Sequence, residues 1–485
     1  MVLIAQLTIL AVLAIYGIHR LALLARFRWP SAGSSASTPA SSNQELPKVT
    51  VQLPLFNERT VAARLIHAAA NLDWPADRLE IQVLDDSTDD TCVLVDDEVA
   101  ALRERGVDIT AVRRTERTGF KAGALDYGMG MTDADFFCVF DADFVPAPDF
   151  LTRTMSALED PGIGMVQARW GHLNRDESWL TRAQSTLLDG HFVVEHKVRH
   201  DRGLFFNFNG TAGIWRRRTI EEAGGWQHDT LTEDLDLSYR AQLAGWRFRY
   251  ASDVVAPAEI PTTIAAFKSQ QHRWAKGSVQ VYKKLFRTIL AASVPARVKL
   301  EALLHLTGNV GYPLVLLLAV LIPITLPRAS ALPNWVHALA LIVCTLPVIL
   351  FYDSSQRALG RSLVQRLRDV PAAIVLGIGL SVSQTRAVWE GLRRHTGEFV
   401  RTPKRGAAPT AGARASNAPA APVRGYSIRL SGIPGIELLF AAWSTFAAVQ
   451  AVTLGLWGTL PFLMLFVVGF GWVGVLSLRG ALRPA

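Results

Sequence analysis

Asp141-Ala142-Asp143 sets two carboxylates one residue apart at the end of an apolar run, Phe136–Phe140. Carboxylates crowded at a cleft repel one another unless a cation sits with them. Such a pair can hold Mg2+ or Mn2+ through hard oxygens while diphosphate oxygens take the metal's other positions. An earlier apolar run, Ile81–Leu84, ends in Asp85-Asp86-Ser87. Alone, either motif also suits a turn or a helix cap. Together they lie where an open α/β sheet collects ligands, which points to a nucleotide diphosphate compound.

Two further groups add acid–base and binding chemistry. Thr232-Glu233-Asp234 follows Gly224, Gly225 and Trp226. It reads as the acidic first turn of a helix or as a carboxylate base for an acceptor hydroxyl. Gln270, Arg273 and Trp274 stand just before a long apolar region. Trp there commonly marks a membrane interface, while Arg can hold phosphate and an indole face stacks on a sugar ring. Lys121, within Gly119–Gly123, is either a solvated lysine or a phosphate or nucleotide contact. His191, Glu195 and His196 follow neither HExxH nor HxxEH and read as a polar helix face. Neither GxxxxGK[ST] nor a GxGxxG after the first strand is present, which argues against an ATPase and a dehydrogenase.

The elements that must position these groups follow from hydrophobic periodicity. Runs at 49–53, 81–84 and 136–140 read as strands, and 59–72, 90–105 and 120–130 as helices. That alternation predicts a mainly parallel sheet with ligands at its carboxyl ends. Half of the 485 residues are hydrophobic, mean hydropathy is +0.21, and the net charge is +8. Cys92, Cys138 and Cys344 allow no disulfide framework. A membrane protein with a reducing, cytosolic catalytic part fits this composition.

Five spans are expected, at 2–18, 305–326, 334–352, 436–456 and 460–478. The first is followed by His19, Arg20, Arg26 and Arg28, so the chain continues in the cytosol. Parity places the Arg-rich stretch 353–433 inside as well. The segment 371–383 is apolar but about half a span long, and reads as interfacial or re-entrant. Residues 31–46 and 407–423 read as linkers.

In order, Asp85-Asp86, Asp141-x-Asp143, Thr232-Glu233-Asp234 and Gln270-x-x-Arg273-Trp274, followed by membrane spans, resemble the D, DxD, TED, QxxRW signature of processive family 2 glycosyltransferases. The resemblance is closest to the cellulose synthase-like A and C proteins and their bacterial homologues. Supporting stretches are Gln52–Glu58, Gln82–Asp89, Val166–Trp170 and Phe208–Gly213. It implies a GT-A fold, an α/β catalytic domain embedded in an α-helical transmembrane protein. It also implies that Pro54, Glu58, Asp85, Asp86 and Lys121 serve the nucleotide sugar, with Gln270 and Arg273 on the diphosphate. Asp141 and Asp143 would hold Mg2+ or Mn2+, Asp234 beside Glu233 would be the base, and Trp274 the acceptor platform. Phe399, Thr402 and Lys404 resemble a gating loop, with Arg401 departing from that pattern.

The expected division is an N-terminal transmembrane helix (1–26), a linker (27–46), a cytosolic catalytic domain (47–300) and two transmembrane helices (301–353). A cytosolic interfacial helix with the gate-like loop and a linker (354–433) precedes two last helices (434–485). The expected reaction is inverting transfer from UDP-glucose or GDP-mannose to a β-1,4-linked glucan, mannan or glucomannan, with extrusion of the product. The competing expectation is single transfer to a ceramide or diacylglycerol lipid. No nucleic acid partner is expected, and the setting is a bacterial inner membrane or its equivalent.

Overall fold

The computed structural model describes residues 1–28, 46–330, 333–393, 406 and 432–482. Helix α1 (Val2–Arg26) precedes the α/β part. There, strands β1 (Val49–Leu55), β2 (Leu79–Asp85), β3 (Ile109–Val112) and β4 (Phe136–Val139) alternate with helices α2 (Arg59–Ala70), α3 (Thr91–Glu104) and α4 (Phe120–Met129). Strands β5 (Ile163–His172), β6 (Gly213–Arg216) and β7 (Arg247–Ala258) complete one sheet of order β3-β2-β1-β4-β6-β5-β7. All neighbours pair in parallel except β6, which runs antiparallel to both β4 and β5. The expected strands and helices therefore form, and the carboxyl ends of six strands face one side.

The sheet is covered on both faces, so its central strands are buried along nearly their whole length instead of alternating. Cys138 and Phe140 pack on one face with Val61, Leu65 and Ile66 of α2, while Phe137 and Val139 pack on the other with Phe208 and Trp215. Each such side chain contributes about 1.5–3 kcal/mol by leaving water. Of the two buried polar side chains in β1, Thr50 and Gln52, the amide is well satisfied: its Nε2 donates to Gln82 Oε1 at 3.2 Å and to Leu125 O at 3.1 Å.

Helices α5 (Trp179–Asp189) and α6 (Glu233–Leu243) flank the sheet, and α7 (Ile264–Ala291) leads away from it. Beyond it lie α8 (Ala296–Leu306), α9 (Gly311–Ala329), α10 (Asn334–Ala358), α11 (Leu363–Gly379), α12 (Ser381–Arg393), α13 (Ile433–Thr453) and α14 (Leu460–Leu482). Among the described residues, four helices are long and apolar enough to cross a membrane: Val2–Arg26, Gly308–Arg328, Ile433–Thr453 and Trp457–Leu482. They leave side chains such as Leu7, Ile18, Leu439 and Val449 exposed, a surface that suits lipid and not water. The stretch at 334–352 lies within helix α10.

The short apolar segment at 371–383 does not stand alone. It is shared by α11 and α12, which meet at a 50° bend, as a broken span or re-entrant loop does. Gly379, at the end of α11, lies against Gly469 O and Val473 of α14, where a Cβ has no room. From the other side, a Cβ on Gly469 would fall 2.9 Å from Val375 O.

Candidate active site

The carboxyl ends of β1, β2, β4, β5 and β7 open into one pocket. Its floor is the end of β4, where Asp141 and Asp143 both line the wall. Opposite stands the first turn of α6 with Glu233 and Asp234. Gln270, Arg273 and Trp274 close a third side, brought to one face of α7 by their i, i+3, i+4 spacing. Residues 129 positions apart in sequence thus meet because β4 and α7 border the same cleft.

Lys121, at the start of α4, ties this centre together. Its ammonium donates to Asp141 Oδ1 at 2.5 Å and to Gly210 O at 2.7 Å. Burial works against its charge, yet Asp141, Glu233 and Asp234 outweigh it and raise the Lys121 pKa. Gly210 has φ +82°, and a Cβ there would lie 3.0 Å from Asp234 Oδ2 and 3.4 Å from Lys121 Nζ. Only glycine allows the loop before β6 to pass this close to the carboxylate.

Asp234 Oδ1 accepts from Leu235 N at 2.8 Å, which fixes the carboxyl at the helix start. Burial first, and the neighbouring Glu233 charge second, push the Asp234 pKa up to about 7. Burial likewise raises Glu233. A carboxyl poised near neutrality and facing a cleft has the proton affinity that general base catalysis requires.

At the β1–β2 end, Pro54, Glu58 and Asp86 line the pocket, and Asp86 is bound by Arg114 and Arg117. The Arg117 guanidinium lies 3.4 Å from the Phe56 ring centroid. Asn57 holds positive φ, and its Oδ1 accepts from Thr88 N at 2.7 Å, locking the two strand-end turns together. Asp85 stands apart from the other expected site residues. It is 2% exposed, does not line the pocket, and binds Arg113 through Nε and Nη2 at 3.0 and 2.9 Å. Last in the strand, it points its carboxylate to the β3 side, so Asp86 alone of the pair faces the cleft.

At the other end, Trp170 sits between Phe144 (5.3 Å between centroids) and Trp274 (6.3 Å), giving the pocket an aromatic wall. His172, last residue of β5, lines the same wall, with Nε2 3.0 Å from Asp189 Oδ1. Sequence reasoning missed this pair, because 17 residues and no recognised motif separate its members. The residues expected to be a polar helix face, His191, Glu195 and His196, lie on one wide helical segment, Gly190–His196, with His191 and Glu195 half-buried and His196 buried. His196 is fully buried with Nε2 on Asn207 O at 2.9 Å, and burial drives its pKa well below the usual value. His191 bridges Glu195 (2.9 Å) and Asn209 (3.0 Å). Phe399, Thr402 and Lys404 lie outside the described residues.

Residues 47–277 match the family model described as glycosyltransferase like family 2. The chain is 46% identical over 262 residues to glucomannan 4-beta-mannosyltransferase 2 of Arabidopsis thaliana, covering 52% of this chain and 49% of that protein. It is 42% identical over 306 residues to glucomannan 4-beta-mannosyltransferase 9 of the same plant, covering 60% and 57%. The chain spans about half the length of the curated relatives it matches. Among solved structures, the mannosyltransferase PcManGT from Pyrobaculum calidifontis, in complex with GDP-Man and Mn2+, aligns with a TM-score of 0.55. At 20% identity over 81% of this chain and 99% of that one, this likeness establishes the fold.

Proposed function

Since residues 47–277 match the family 2 glycosyltransferase model, we propose that the chain is a membrane-embedded inverting hexosyltransferase of GT-A type. It transfers mannose from GDP-mannose to a growing β-1,4-linked mannan or glucomannan. The observation that carries the reading is Asp234, a carboxyl with a pKa near 7 facing the same pocket as Asp141 and Asp143. The mannosyltransferase relatives support the donor sugar, and the GDP-Man bound to PcManGT supports the nucleotide. The lipid-acceptor alternative has no support among these relatives.

Asp234 removes the proton from the acceptor hydroxyl as that oxygen attacks the anomeric carbon from the face opposite the diphosphate. Arg273 and Gln270 hold the departing diphosphate, with Lys121 as a further cation beside it. Asp86 and Glu58 orient the nucleoside end, and Trp274 carries the acceptor ring. Among the described residues no three His, Cys, Asp or Glu side chains converge as a metal cage. Two carboxylates instead suit an ion whose remaining positions are filled by substrate oxygens, so Asp141 and Asp143 would hold Mg2+ or Mn2+. When bound, that ion supplies charge stabilisation to the leaving diphosphate.

The apolar helices, four of them long enough to cross a membrane, support a multi-pass setting in a bilayer. The arginines between 353 and 394 support a cytosolic catalytic domain by the charge rule. The test is to give purified protein in nanodiscs labelled GDP-mannose or UDP-glucose and to analyse the linkage of any polymer. β-1,4-Mannan formation is the expected result. Transfer from neither donor, or product only on lipid, overturns the reading.

A further inference from the structure

We infer that His172, oriented by Asp189, hydrogen-bonds a non-reacting hydroxyl of the acceptor sugar and so sets acceptor affinity. The inference rests on the proposed glycosyl transfer and adds a contact to its acceptor side. Four strand spacings of about 4.8 Å separate β2, which Asp86 directly follows, from β5, which ends in His172, or about 19 Å. A nucleotide sugar seated over β2, β1 and β4 therefore leaves the β5–β7 end to the acceptor. Trp170 and Trp274 form the apolar wall there, and His172 lines the same wall.

The imidazole is built to present one nitrogen. Nε2 is taken by Asp189 at 3.0 Å, while among the described residues no group bonds Nδ1. With the Nε2 proton donated to Asp189, Nδ1 is left for a hydroxyl, accepting from it when the ring is neutral and donating to it when the ring is charged. Asp189 is fixed in turn, since its other oxygen accepts from Gln356 Nε2 of α10 at 2.9 Å. Burial opposes the Asp189 charge, but His172 and Gln356 outweigh it and hold the carboxyl below its usual range. Both side chains of the pair are at most 6% exposed, so a sugar hydroxyl in the pocket meets a dry, rigid partner. His172 touches substrate in this arrangement, and Asp189 is a positioning residue.

The test compares wild-type protein with His172→Ala, His172→Phe and Asp189→Asn in nanodiscs. GDP-mannose serves as donor, β-1,4-linked mannotetraose as acceptor, and GDP as the binding probe. The expected result for all three variants is an acceptor KM raised about tenfold, with the donor KM and GDP affinity unchanged. Combining His172→Ala with Asp189→Asn should add little, because the second residue acts through the first. His172→Phe keeps the ring volume and decides the matter should His172→Ala fail to fold. An unchanged acceptor KM overturns the inference, as does parallel loss of GDP binding in both His172 variants, which gives the ring a purely structural part. Wild-type protein inactive with either GDP-mannose or UDP-glucose overturns the proposed function itself, and that outcome is read independently of the variants.

Discussion

The Lys121 ammonium shares Asp141 Oδ1 at 2.5 Å, so a protein cation holds one oxygen of the carboxylate pair offered to the metal. The same ammonium holds Gly210 O at 2.7 Å, beside Asp234. One side chain therefore sets both the charge of the metal end and the position of the loop against the base.

Lys121→Met should separate these two effects. Without its cation the acidic cluster gains net negative charge, so Mn2+ alone should bind more tightly. GDP binding in saturating Mn2+ should weaken about 10–100-fold, the range for losing a charge-assisted hydrogen bond. Manganese resonance titration and GDP calorimetry read the two quantities. Unchanged values in both would remove Lys121 from the site.

Asp234→Asn should reduce transfer by about 10²–10⁴-fold and leave GDP binding nearly intact, because the base acts on the acceptor. In the wild type, a pKa raised to about 7 predicts that transfer climbs with pH and levels off above neutrality. The sign for stability is opposite. A folded-state pKa above the unfolded one gives a contribution present below about pH 4 and lost as pH rises through about 7. A pH–rate profile flat between 5.5 and 8 would place the base elsewhere.

Gly210→Ala tests the close approach in the loop before β6. An added Cβ faces Asp234 Oδ2 at 3.0 Å, and φ +82° disfavours any L side chain. A displaced base costs about 10²-fold in rate even when the fold survives. Near-normal turnover with a normal melting profile would show that the loop can shift without moving Asp234.

Lys268 and Glu437 offer a test away from the chemistry. Lys268 of α7 and Glu437 of α13 form an ion pair, both at most 2% exposed, with Ser477 of α14 accepting from Lys268 at 2.6 Å. Removing one partner strands a buried charge, so Lys268→Met should destabilise by about 3–5 kcal/mol. Lys268→Met with Glu437→Leu should recover most of that loss. Thermal midpoints in nanodiscs give the comparison, and a double variant no better than the single one would show the pair to be replaceable only as a pair of charges.

Much of this was legible before any coordinates. The apolar runs that lead into Asp85-Asp86 and Asp141-x-Asp143 are strands, because a sheet covered on both faces leaves a continuous apolar signature. Gln270, Arg273 and Trp274 share a helix face, which their spacing alone dictates. What stayed hidden depends on tertiary placement. Asp85 and Asp86 are identical in type and adjacent, and only the β3 neighbour Arg113 decides which one turns away. The His191–His196 segment reads as a polar helix face because nothing in its sequence reveals that α1 and α10 pack on it. Glu301 of α8, paired with His19 of α1 at 2.7 Å, lies 4.0 Å from Arg199 at its edge. His172 and Gln356, both on Asp189, are 184 positions apart and share no pattern.

The contact of Gly379 with Gly469 has a bearing on traffic. Where two helices meet backbone to backbone, no slot is left between them for a ring of carbon and oxygen atoms. A polysaccharide threaded across the bilayer would thus find the α11–α14 seam shut. Any such passage would have to skirt that seam, and glycine-to-leucine changes there would wedge the two helices apart.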